Sequence, residues 1–285
     1  MIGIYFGERV ITINKDKYYV LKCKNGKCYL IPLTCKKSKC TKCQKKCLKK
    51  CLKKSKCLKK CKKKPLKNLH TIKVPVPKPA GISGLPKYIY FQIDNSFTDK
   101  QEQRIKDGIV SMLAVWREHH DQKWNGGANN GTSELAACTN TYAKKNLKPL
   151  WYRGKAITNG KTATNVAMNQ FTQLIKDNGF KRSCPAKIKA NEIEDLEVGT
   201  ILGVSALTRF KVPLSIGVNP KQLDNRSLNI NKLAASILHA WLHCAGFTDP
   251  KTTSYFISEC AMCVMRSSKP KNPDVRDSSY YKFFD

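Results

Sequence analysis

Residues 239–250 read His-Ala-Trp-Leu-His-Cys-Ala-Gly-Phe-Thr-Asp-Pro, with two imidazoles and a carboxylate at fixed offsets. His239 and His243 are four apart, Gly246 follows three later, and Asp249 lies three beyond that. Imidazole nitrogen and carboxylate oxygen are donors for divalent first-row metals, so this run could close three ligands on one ion. The preceding stretch predicts the helix that must carry them. Ile230, Leu233, Ala234, Ile237, Leu238, Trp241 and Ala245 recur at helical spacing and define an apolar face. At ~100° per residue, both histidines fall about 140–180° from the middle of that face. The rings are therefore expected on one side, a turn apart and away from the main packing stripe. Gly246 supplies the left-handed conformation that ends a helix, and Pro250 prevents its resumption. The turn between them would bring Asp249 back beneath the two rings.

The arrangement resembles the metzincin zinc endopeptidases, whose signature is HExxHxxGxxH or HExxHxxGxxD followed by a Met-turn. His239, His243, Gly246 and Asp249 match it position for position, while Ala240 stands where the family has glutamate. Downstream, Cys263-Val264-Met265 looks like the family's Ser-x-Met turn with cysteine for serine, Met265 being the structural methionine and Met262 a less well-placed candidate. Some members carry a tyrosine two residues further on. Here that position is Ser267, so no tyrosine contribution is expected.

The resemblance implies a zinc ion held by His239, His243 and Asp249, with one coordination position open to water. It also implies a peptide or protein substrate paired along an edge strand, for which Ile201–Leu207 is the candidate. In the family, the glutamate accepts the water's proton and passes it to the leaving amine. Alanine has no acceptor. Loss of a positioned general base costs on the order of 10²–10⁴ in rate. The expectation is a zinc endopeptidase frame, of the kind a toxin-like effector would carry, that binds metal and hardly hydrolyses. Two origins of Ala240 stay open: a natural pseudopeptidase that uses the cleft for binding, or a Glu→Ala substitution in an active protease.

Composition divides the chain of 285 residues. Residues 1–79 hold 25 Lys and Arg against 2 Asp and Glu, whereas residues 80–285 hold 28 against 18. A basic, cysteine-rich module over residues 1–70, a Pro/Gly-rich linker over 71–86 and a metallopeptidase-like domain over 87–285 are expected. The last reads as α/β (α+β), and the resemblance implies a twisted mixed sheet, a long helix and a zinc-site helix. Lys87–Asp94 alternates as a strand, and Thr98 with Gln101 signals a capping box. Ile105, Ile109, Met112, Leu113 and Trp116 then mark an amphipathic helix. Residues 124–132 read as a loop and Asn159-Gly160 as a hairpin turn. Thr164–Asn178 reads as a helix capped by Gly179, outside the minimal family layout and so an insertion. Ile201–Leu207 and Leu214–Val218 read as strands. His119 and His120 are adjacent and point to different faces, so a solvated helix end explains them. His70 is expected in solvent as well.

Lys36–Lys64 contains 16 lysines, 6 cysteines and no acidic residue. Cys43, Cys47 and Cys51 step by four, as do Cys57 and Cys61, while Cys40-x2-Cys43 lacks the second pair a zinc finger would need. Disulfide stapling, thiolate metal binding and a largely disordered cationic tract all remain open. Each leaves a concentrated positive field suited to anionic membrane, cell-wall polymer or a delivery apparatus. Nucleic acid is less favoured, because residues 36–64 hold no arginine or aromatic side chain. The first residues resemble a strand and not a signal peptide, and no apolar run approaches ~18 residues. With 14 cysteines, that points to an extracellular protein exported by a non-classical route. Besides the endopeptidase, two functions compete: a non-catalytic peptide-binding protein, and a cationic membrane- or polyanion-binding protein.

Overall fold

A computed structural model of the chain describes residues 10–14, 17–24, 27–32, 68–125, 127–180, 185–190, 214–248 and 252–284. The chain separates into two units, Met1–Lys62 and Lys63–Asp285. In the first, β1 (Val10–Asn14), β2 (Lys17–Lys24) and β3 (Lys27–Pro32) form an antiparallel sheet in chain order. Cys40, Cys43, Cys47, Cys51, Cys57 and Cys61 lie outside the described residues.

The second unit is a mixed α/β arrangement compatible with the α+β class. Its sheet has the order β4 (Leu69–Pro75), β5 (Tyr88–Asp94), β6 (Ala186–Ala190), β7 (Ile216–Val218). The first pair is antiparallel and the other two are parallel. Alternation in β5 buries Ile89, Phe91 and Ile93, and the register continues that layer into its neighbours. Ile72 sits opposite Phe91, Val74 opposite Ile89, and Ile188 beside both Ile93 and Ile216.

Seven helices accompany this sheet among the described residues: α1 (Asp99–Lys123), α2 (Glu134–Tyr142), α3 (Gly160–Phe180), α4 (Pro220–Leu223), α5 (Ile230–Cys244), α6 (Phe256–Met265) and α7 (Ser278–Tyr281). Thr98 and Gln101 form a reciprocal capping box that starts α1. Ile105, Ile109, Met112, Leu113 and Trp116 are its buried stripe. Helix α1 packs on α5, α2 on α3, and α5 on α6. Gly108 permits the first of these contacts, since a Cβ there would lie 2.7 Å from Leu233 Cγ. A disulfide between Cys138 and Cys263 joins α2 to α6.

Several local readings are corrected. Residues 69–75, expected partly as linker, form edge strand β4, because Ile72, Val74 and Val76 alternate inward between exposed Thr71 and Lys73. Pro75 is tolerated at the strand's end. Asn159-Gly160 starts helix α3 instead of turning a hairpin, with Asn159 Oδ1 accepting from Thr162 N at 2.8 Å. Gly179 lies inside that helix, which runs to Phe180. The candidate substrate strand Ile201–Leu207 lies outside the described residues. Of Leu214–Val218, only Ile216–Val218 is strand.

Candidate metal centre

Helix α5 begins at Asn229, whose side chain accepts from Lys232 N. It ends in a Schellman turn: Phe247 N donates to Leu242 O at 3.0 Å and Gly246 N to His243 O at 2.9 Å. Gly246 has φ of +93° there, a conformation glycine adopts without steric cost. The two buried side chains Leu242 and Phe247 close the motif. Within this frame, the His239 and His243 rings stand edge to face with centroids 5.0 Å apart. His243 Nδ1 lies 3.1 Å from Phe247 O. A carbonyl only accepts, so Nδ1 carries a hydrogen.

Apart from exposed Ile230 at its start, which the expected apolar stripe included, and partly buried residues at both ends, the helix surface is not open. Every residue from Leu233 to Leu242 is buried, so the expected division into a packed stripe and a histidine face fails. His239 is 1 % exposed and Ala240 2 %. The segment Tyr280–Phe284 covers the His239 side of the helix. Phe284 stacks face to face on His239, with centroids 4.4 Å apart and an interplanar angle of 2°. The Ser236 hydroxyl lies 2.8 Å from both Phe283 O and Lys232 O and shares its hydrogen between them. The aromatic run Tyr280-Tyr-Lys-Phe-Phe284 was the sequence signal for this cover. A nearby tether holds the approach to it: buried Glu259 accepts from Lys271 Nζ at 3.1 Å, and Lys271 also reaches Asp277 at 2.7 Å.

Asp249 lies outside the described residues. Among the described residues, no group of three His, Cys, Asp or Glu side chains is placed to hold a metal. The described donor set is thus the two imidazoles, whose nitrogens are of the kind zinc takes. Cys263, Val264 and Met265 form the last turn of α6 and not a separate Met-turn. Cys263 is committed to the disulfide with Cys138, which fixes that turn in a helix end, and Met265 packs partly buried against the core.

A second histidine cluster contradicts its sequence reading. His119 and His120, expected at a solvated helix end, are each 1 % exposed. His119 Nδ1 is 2.7 Å from Ser133 Oγ, the N-cap of α2. Thr172 donates its one hydroxyl hydrogen to Met168 O, so His120 Nε2 at 3.2 Å must donate to Thr172 Oγ1. Burial, then the neighbouring His120 and Lys123, hold His119 down at about 3. Burial, then Lys123, holds His120 at about 4. Both rings are neutral at pH 7. His70 is half-exposed, with Nδ1 2.7 Å from Asn95 Oδ1 and Nε2 2.7 Å from Glu102 Oε2. The Asn95 contact, followed by Glu102, raises its pKa against the opposing cost of burial.

No described helix is long and apolar enough to cross a membrane. Compared with protein-family models, with curated proteins and with solved structures, the chain matches none.

Proposed function

We propose that α5 and its glycine turn carry a zinc site of the metzincin type, in a chain that binds the metal without appreciable peptide hydrolysis. The supporting observation is the His239–His243 pair at 5.0 Å, with His243 Nδ1 anchored on the Phe247 carbonyl. That anchor orients a ligand ring in the way outer-shell hydrogen bonds do at zinc sites. His239 and His243 would hold the ion, with Asp249 as the third ligand the sequence motif supplies. Zinc there would polarise a carbonyl and acidify bound water. Ala240 has no atom to take the water's proton, so the remaining residues bind and orient but do not shuttle protons.

The test is zinc content after the full chain is dialysed against zinc and then against buffer. One zinc per chain is expected, falling about 100-fold in affinity or more in His243→Ala, which removes one of three protein ligands. A chain that retains no zinc at all would refute the reading.

Non-catalytic peptide binding is a second reading, favoured by Phe284. Residues 283 and 284 lie over α5 with Phe284 stacked on His239 and the Phe283 carbonyl accepting from the Ser236 hydroxyl, which is how a held peptide would lie. The Ala240→Glu chain separates the two. Cleavage of a peptide library by a folded Ala240→Glu chain, about 10²-fold or more above the parent, supports an endopeptidase frame. A folded and silent variant supports peptide holding.

A further inference from the structure

The loop after α2 combines apolar exposure with positive charge that has no carboxylate partner among the described residues. Leu150 is 64 % exposed and Trp151 41 % exposed, and the half-buried Tyr152 packs edge-on against Trp151 with centroids 6.0 Å apart. Exposed Lys144, Lys145, Lys148, Arg153 and Lys155 surround them in sequence, and no acidic residue occurs between Glu134 and Asp177. Among the described residues, none of the five cations pairs with a carboxylate. Lys144 Nζ bonds Asn140 O, Arg153 Nη1 bonds Leu150 O, and Lys145 lies over the Tyr255 ring.

The loop is held in shape from below. Trp151 Nε1 donates to Ala245 O and Leu150 N donates to Gly246 O at 2.8 Å. Lys144 N and Lys145 N both donate to Ser254 O at 2.7 Å. Leucine is therefore presented outward on a fixed backbone, so the exposure is not that of a slack loop that could fold its apolar side chains away.

We propose that residues 144–155 dock this protein on the surface of an anionic lipid bilayer. Leu150 enters the acyl boundary, the Trp151 and Tyr152 rings lie at headgroup level, and the five cations meet lipid phosphates and carboxylates. Tyrosine favours that depth because it has an apolar ring and a polar edge, and the Trp151 ring, its Nε1–H held by Ala245 O, adds apolar area beside it. Anionic headgroups supply the missing counter-charge. An acidic protein would satisfy the lysines, but it gives no reason for leucine and two aromatics at the tip. The loop is anchored on Ala245 and Gly246, the turn that ends α5, but the proposal requires neither a metal there nor the lysine–cysteine tract.

The experiment uses the full chain with vesicles of phosphatidylcholine and about one-third phosphatidylserine, some brominated in the acyl chains. Expected are quenching of tryptophan fluorescence that is largely lost in Trp151→Phe, and binding about tenfold weaker in Leu150→Asn. The double change Lys148→Glu with Lys155→Glu should weaken binding at least about tenfold. All these side chains are exposed, and circular dichroism checks that each variant folds. If Leu150→Asn does not fold, the charge pair decides alone. Quenching that survives Trp151→Phe, or vesicle binding unchanged in the loop variants, overturns the proposal and leaves attachment to other basic residues. Loop variants that lose poly-glutamate binding but keep vesicle binding overturn it in favour of an acidic polypeptide partner.

Discussion

His119 and His120 are the residues whose burial has the clearest thermodynamic consequence. Both are closed off between α1, α2 and α3, and both stay neutral when folded, with values of about 3 and about 4. Unfolded, they titrate near 6.5, so between about pH 6.5 and 4 the unfolded chain binds more protons than the folded one. Stability therefore rises with pH across that window and is lost on acidification. Lowering the pH from 7 to 5 should cost about 2–4 kcal/mol from the pair. Urea melts at the two pH values measure it, and the slope should roughly halve in His120→Gln. His70 acts in the opposite sense. Its folded pKa is raised, so its contribution is present below the unfolded value and fades as pH rises through the folded one. Solvent limits that contribution to under about 1 kcal/mol. The identity of these histidines was legible, but their environment was not. Adjacent residues on a helix do face different ways, yet α2 and α3 together cover both faces.

Elements were legible where a local rule suffices. The capping box of Thr98 and Gln101, the period-two alternation of β5 and the long amphipathic stripe of α1 rest on contacts within a few residues, and all three are present. Asn159-Gly160 shows the limit of such rules: the same dipeptide suits a tight turn or a helix start, and the helical run after it decides. Residues 69–75 show another, because prolines hid an alternation that becomes a strand once β5 offers an edge. Packing between elements is set at single points. Gly108 lets α1 approach α5, and Gly108→Ala should cost about 1–3 kcal/mol by pushing on Leu233 and Ile237. A urea midpoint that does not move in that variant would mean the two helices are free to separate there.

At the scale of the molecule, the C-terminal segment decides whether the histidine helix is a surface or an interior. Phe283 and Phe284 are buried, and their removal takes two large aromatic side chains from the core. Deleting residues 280–285 should cost several kcal/mol, in the range of about 3–5 for each such aromatic at most. It should also expose His239. Diethylpyrocarbonate reaction followed by peptide mass spectrometry measures this, with His239 protected in the full chain and modified in the truncated one. Equal protection in both would show that something other than the tail covers the ring. The Cys138–Cys263 disulfide closes a sequence separation of 125 residues and holds α6 against α2 from the other side.

The sequence alone settled what depends on neighbours along the chain: two imidazoles one turn apart, a glycine able to end their helix, and an alanine that cannot act as a base. Only the tertiary structure decided exposure, because exposure depends on which distant segment arrives. The apolar stripe of α5 indicated one packed side, but the aromatic tail closed the other. The same holds for His119 and His120, where two other helices fill the space that solvent was expected to occupy. Periodicity reports the face a helix must bury. It cannot report the face that a remote part of the chain goes on to cover.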